Sequence, residues 1–244
     1  YKDIIAVLNA EISRLADWSS LNELYIHPKK TEYVMFGTAQ KLNRIDTADV
    51  SSHDVLLGDK VLERKSFYKY LGVYLDEHLS FKEHTLRLFS KVSSQLSLVS
   101  RLRNNLTMLA AERIYKAMIL PKLDYCDIVW NINLAPTRLK KLERLQIRAA
   151  KIVLQESSMS DEQLLSTLRW KTLYSRSVIH RLIFVFKCLK GNNGPAIFSN
   201  YFKILNHSQV TRRNGIDLVI PVIRTEAGKK GCFYAGVNDY NSLQ

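Results

Sequence analysis

Leu88, Val92, Leu96, Val99 and Leu102 are three or four residues apart. That spacing lines one face of an α-helix and is incompatible with a strand, whose faces alternate every second residue. The same period returns in Leu139, Leu142, Leu145, Ala149 and Ile152 or Val153, behind Pro136, which suits a first helical turn. Thr107 is placed to cap a helix carrying Ile114 and Met118. Pro121 kinks or ends that helix, and KLDYCDIVW resumes it. Ser80 with Glu83, and Ser160 with Gln163, have the spacing of capping boxes. A last apolar and basic helix runs from about Tyr174 to Leu189 and stops at Gly191. Residues 79–190 therefore read as a helical bundle.

The chain ahead of this bundle has a different pattern. Ile4, Leu8, Ile12, Leu15 and Trp18 give one helix over residues 3–21. Short strands come next at Leu24–Ile26 and Tyr33–Phe36, with a polar loop over residues 37–53. A hairpin turns at Gly58-Asp59-Lys60 between Val55–Leu57 and Val61–Leu62. SFYKYLGVYLD, residues 66–76, reads as one further strand. Its Tyr68, Tyr70, Gly72 and Tyr74 fall on one face, and Phe67, Lys69, Leu71, Val73 and Leu75 on the other. The expected class is α+β, in three parts: residues 1–78, the helical residues 79–190, and a mixed extension, 191–244. In the extension IDLVIPVIRT reads as an edge strand broken by Pro221, and GKKG as a turn.

Charge separates the parts again. Residues 85–190 hold 19 Lys/Arg against 7 Asp/Glu, nearly all of the net +13, while residues 1–84 hold 11 against 13. Such asymmetry points to a polyanionic partner, most often a nucleic acid. No apolar run approaches the ~18–20 residues of a membrane helix, so no membrane partner is expected. The first residues do not read as a signal peptide, and three scattered cysteines read as reduced thiols. The expected location is inside the cell, cytoplasm or nucleus. The chain opens on Tyr1 with a helix starting at once, as expected of a piece of something longer.

Phosphate-loop, dinucleotide-binding, zinc-protease and nucleophile-elbow motifs are all missing from the sequence. DEHLSFKEH (76–84) gathers metal-type ligands, but it reads as a turn feeding a helix whose early acid complements the dipole. Asp124 and Asp127 in LDYCD read as residues capping or solvating the turn after Pro121. No metal site is expected. No two aspartates are adjacent anywhere in the chain.

Several stretches resemble one family when taken in order. LNELYIHPKKTEYVMFGT (21–38) is similar to the region after the catalytic strand in reverse transcriptases of non-LTR, LINE-like, jockey-type retrotransposons. YKYLGVYLDEHLSFKEH (68–84) is similar to the strand after it, the primer grip. LPKLDYCDIVW (120–130), LERLQIRAAKIV (142–153) and FKCLKG (186–191) resemble the helical thumb and the segment after it. Residues 212–244 resemble the usual ending of that segment, although Tyr240 stands where tryptophan is more common and Gln244 where proline is. His27 stands where the family usually has asparagine.

The resemblance implies the end of an antiparallel polymerase palm, with one helix, followed by a thumb-like bundle. It implies an RNA-directed DNA polymerase fragment that holds an RNA/DNA primer–template. The metal-binding Asp-Asp strand, the earlier palm and the fingers belong to the missing N-terminal part, so the chain alone is expected to be inactive. Mg²⁺ is implied for the full-length enzyme and no cofactor for this chain. Lys30 matches a lysine near the pyrophosphate leaving group, a candidate general acid. Lys69, Tyr70, Leu71 and Gly72 match the primer grip. Arg101, Arg103, Lys140, Lys141, Arg144, Arg148 and Lys151 are the candidate phosphate contacts of the thumb, with Arg144, Arg148 and Lys151 sharing one helix face. A non-enzymatic nucleic-acid-binding module and a decayed relic are the alternative readings.

Overall fold

A computed structural model describes residues 2–46, 54–132, 134–190, 198, 200–205, 217–229 and 231–243. They form two units, Tyr1–Glu83 and His84–Gln244. The chain is α+β: long helices with short two-stranded ladders.

The first unit is built on helix α1, Lys2–Leu21. Ile5 is buried together with Val55, Leu57 and Leu62, and Leu8, Ile12 and Ala16 pack against them. Ile4, Leu15 and Trp18 are exposed, so the inward stripe is rotated from the one the spacing suggested. The reason is that both faces of α1 carry apolar residues, and periodicity alone does not choose between them. Asn9 settles the docking: its amide donates to Asp54 O at 2.9 Å and its Oδ1 accepts from Leu56 N at 3.0 Å.

Strand β1 (Glu32–Tyr33) pairs in parallel with β4 (Glu63–Arg64). Strands β2 (Leu56–Leu57) and β3 (Lys60–Val61) form the expected hairpin around Gly58, at φ 60°. The polar stretch read as loop contains helix α2, Ala39–Asp46, whose Leu42 is buried; residues 47–53 lie outside the described residues.

Residues 66–76 are not one strand. Strands β5 (Phe67–Tyr70) and β6 (Val73–Asp76) form an antiparallel hairpin, with Leu71 at φ 45° and Gly72 at φ 88° in the turn. Two successive positive φ values match the twist of a tight hairpin, and glycine adopts one at no steric cost. Tyr68 pairs with Leu75 and Lys69 with Tyr74, so Tyr74 shares a face with Phe67 and Lys69, not with Tyr68 and Tyr70. A straight reading misses this because it carries the alternation through the turn.

The second unit opens with helix α3, Lys82–Leu102, whose Leu88, Val92, Leu96 and Val99 are buried as the spacing requires. Thr107 caps α4 (Met108–Ile114) by accepting from Ala110 N. A π turn, Tyr115–Ile119, then leads into α5 (Leu120–Asp124), which has Pro121 in its first turn. The proline has no N–H to give, so the wider turn sits where the regular ladder would be broken. Cys126, at φ 52°, separates α5 from α6 (Asp127–Trp130). Helix α7 (Pro136–Leu154) buries Leu142, Leu145, Ala149 and Val153. Helix α8 (Asp161–Leu168) carries the capping box of Ser160 and Gln163 in full. Ala111, Ala150, Val153, Leu164 and Leu168 form the core between α4, α7 and α8.

Helix α9, Leu173–Lys190, carries the C-terminal segment. Val185, Cys188, Phe202, Leu218 and Val237 form a second core there. A Cβ on Gly236 would meet Val185 Cγ2 at 2.8 Å, so the last helix, Cys232–Asn241, lies close against α9. The proposed edge strand is reduced to one bridge, Ile204 to Leu218, and Gly228–Lys229 ends a short helical turn. Gly191 and residues 206–216 lie outside the described residues.

Arg103 is a correction to the surface set. It is buried, and its guanidinium donates to Ile152 O (2.9 Å), Val153 O (2.8 Å) and Leu106 O (2.6 Å). These carbonyls lie at the end of α7 and in the turn before α4, where the regular helical ladder runs out of donors; Ile152 O otherwise has only a long bond of 3.4 Å from Gln155 N. Replacing Arg103 with methionine should destabilise the chain by about 2–3 kcal/mol, because buried acceptors lose a charged donor. Urea unfolding of the two proteins measures the difference; an unchanged midpoint would show that water replaces the guanidinium.

Candidate nucleic-acid interface

In the first unit, Lys30 ends a short 3₁₀ turn, Pro28–Lys30, and is exposed. The turn is closed by Lys30 N to His27 O at 2.9 Å and by Thr31 Oγ1 to His27 O at 3.1 Å. Pro28 fixes φ at its start, so the lysine is held on a stiff backbone. Lys69 lies on the outer face of the β5–β6 hairpin, 5.8 Å from the centre of the Tyr74 ring. Tyr70 and Leu71 are exposed at its tip, 61% and 74% accessible. Gly72 is needed there by the turn itself, which explains it without any nucleic acid.

In the second unit, α7 turns Lys140, Lys141, Arg144 and Arg148 outward, with Lys151 half-buried at its end. The leucines occupy the opposite side, so the 3.6-residue period separates cations from core. Arg148 Nη2 donates to Ser97 Oγ on α3 at 3.0 Å. Arg101, in the last turn of α3, is exposed. The α7 cations and Arg101 remain available to solvent. Arg103 does not.

Sequence reasoning missed a set of ion pairs on the inner side of α9. Arg176 grips both oxygens of Asp124, with Nε donating to Oδ1 at 3.0 Å. His180 Nδ1 lies 2.8 Å from Asp127 Oδ2. Arg181 donates to Asp239 at 2.7 Å and to Ser177 Oγ at 3.1 Å. The signal was present: Arg176, His180 and Arg181 fall at helical spacing in a segment read only as apolar and basic.

Asp124, Asp127 and His180 offer ligand-type atoms within 4.8 Å of one another. They do not fit a pair of Mg²⁺ ions. Asp124 is already closed by a guanidinium, and a cation would have to displace that charge. Burial pushes the Asp127 carboxyl above its ordinary value, with Asp124 adding to the shift and His180 opposing it.

Part of the chain is similar in sequence to a defined class of proteins, the RNA-directed DNA polymerases of mobile elements. The relatives are non-LTR retrotransposon enzymes. The RNA-directed DNA polymerase from mobile element jockey of Drosophila funebris is 33% identical over 97 residues, 38% of this chain and 10% of that protein. The jockey polymerase of Drosophila melanogaster is 29% identical over 155 residues, 61% of this chain and 17% of its own length. The probable RNA-directed DNA polymerase from transposon BS of Drosophila melanogaster is 27% identical over 150 residues, 60% of this chain and 16% of its own. The chain thus spans at most 17% of the length of these relatives. No family model matches the chain, and no solved structure does. No helix among the described residues is long and apolar enough to cross a membrane.

The raised Asp127 value sets a pH dependence. The folded state favours the protonated form relative to the unfolded chain. That contribution is complete below the unfolded value and is lost as pH rises through the folded one. Against Asp127→Asn, the parent should therefore lose relative stability as pH is raised from below the usual carboxylate range. Unfolding free energies of both proteins across that range check it, and parallel curves would contradict it.

Proposed function

We propose that this chain is part of an RNA-directed DNA polymerase of a non-LTR retrotransposon, the part that holds the primer–template. The observation that carries the reading is the outward cationic face of α7, Lys140, Lys141, Arg144 and Arg148, set opposite a buried leucine stripe. Its similarity to retrotransposon polymerases supplies the class of partner. Side chains of this kind contact phosphates and read no base edges, so binding would be indifferent to sequence and sensitive to salt. The β5–β6 hairpin, with Lys69, Tyr70, Leu71 and Gly72 near its tip, is assigned to the primer strand.

Phosphoryl transfer by two metal ions requires carboxylates clamped on both. This sequence has no adjacent aspartates, and Asp124 and Asp127 are committed to Arg176 and His180. The chain by itself is therefore assigned holding and not chemistry. Lys30, exposed on a stiff turn, would serve as proton donor to the departing pyrophosphate only beside such a centre. Mg²⁺ belongs to that centre and not to the residues described in this chain.

Titrating a labelled RNA–DNA hybrid at several salt concentrations tests the reading. If about five phosphates are neutralised, log K should fall against log salt with a slope of about −4 to −5. Substituting glutamine at Lys140, Lys141 and Arg144 together should make the slope shallower by about 2–3. A slope near zero in the parent chain would overturn the proposal.

A further inference from the structure

The π turn, α7 and the loop from α8 to α9 enclose a cavity of about 270 Å³. Among the described residues its lining includes Lys116, Arg169, Lys171 and Arg176 and no carboxylate. Two of these cations are occupied, Lys116 by Glu112 at 2.6 Å and Arg176 by Asp124. The other two, Arg169 and Lys171, have no side-chain partner among the described residues. Arg169 also stands at φ 55° at the end of α8, where glycine is the usual residue.

The inner wall is aromatic and fixed. Trp170 stacks on Tyr115 with centroids 4.3 Å apart and donates its indole N–H to Glu112 at 3.0 Å. The loop is pinned by Gln146 Nε2 donating to Lys171 O at 2.9 Å. Tyr115 is 2% exposed and Gln146 1%, and apart from each other's side chain the tyrosine hydroxyl and Gln146 Oε1 have no hydrogen-bond partner among the described residues. Burial and the Asp124 charge raise the Tyr115 pKa, while Arg176 and the nearby Gln146 oppose the shift. The hydroxyl therefore keeps its proton and remains a donor. The two side chains meet at the inner wall, and each keeps hydrogen-bonding capacity for an oxygen-bearing group in the cavity.

We propose that this cavity binds a phosphoryl group bearing or adjoining a hydroxyl, the chemistry of a ribonucleotide. Arg169 and Lys171 supply the uncommitted positive charge at the mouth. Tyr115 donates to a phosphoryl oxygen, and Gln146 Oε1 accepts from the hydroxyl. This site is separate from the α7 face and does not depend on the primer–template reading, because its residues are not among those assigned to the duplex.

The experiment titrates inorganic phosphate, a ribonucleoside monophosphate and an RNA–DNA hybrid into the full chain, into Arg169→Gln/Lys171→Gln, and into Lys140→Gln/Lys141→Gln. The parent should bind the ribonucleotide saturably and more tightly than inorganic phosphate. The cavity variant should lose about tenfold in ribonucleotide affinity, as expected when charge-assisted bonds are removed, while the α7 variant should not. Tyr115→Phe should weaken ribonucleotide binding with little change in the far-ultraviolet circular dichroism. If the cavity variant also weakens the hybrid, the phosphoryl group comes from a strand; if only ribonucleotide binding falls, it comes from a free nucleotide. No saturable binding of phosphate or ribonucleotide, or equal losses in both paired variants, would overturn the proposal.

Discussion

The second unit depends on one buried cation. Arg103 sits beyond the end of α3 and satisfies carbonyls at the far end of α7 and in the turn before α4. The end of α3 and the turn just after it are thereby joined through one planar group to the end of α7, 50 residues further along the chain. A lysine would not serve, since its single ammonium lacks the rigid fork that reaches several acceptors at once. With the end of α7 held, Ala150 and Val153 face α4 and α8, and the basic side of the helix is left to the solvent.

The charge of the helical region is thus divided into two populations. Arg103, Arg176 and Arg181 are drawn inward to carbonyls or carboxylates. Lys140, Lys141, Arg144 and Arg148 stay outside. Net charge therefore overstates what is available for an external polyanion. The distinction matters for affinity, because a cation already satisfied within the fold releases no counterion on binding.

Periodicity revealed most of the helices. α7 was legible from Pro136 and its leucine stripe, and α8 from its capping box, because both signals are local and the structure uses each as written. Arg101 and Arg103 were indistinguishable, since two residues on one turn acquire opposite fates only from what packs over them. The hairpin at Leu71-Gly72 was hidden because its flanks are both β-prone and the turn lacks the Asn-Gly or Asp-Gly pair that announces one. Of the candidate contacts, the α7 cations were visible from spacing. The cavity of Tyr115, Gln146 and Arg169 was not, because its walls come from segments far apart in the chain.

Asn9 gives the first unit a particular folding problem. Its amide mimics a strand neighbour for Asp54 and Leu56, which lie 45 and 47 residues further along the chain. The helix can form early, since its own bonds are local, but its docking must await a late hairpin. Contacts of that separation require a large loop to close before any stabilisation is gained, and they slow folding. During synthesis α1 must therefore emerge and wait, with Ile5, Leu8 and Ile12 uncovered, until the segment around Val55 has left the ribosome.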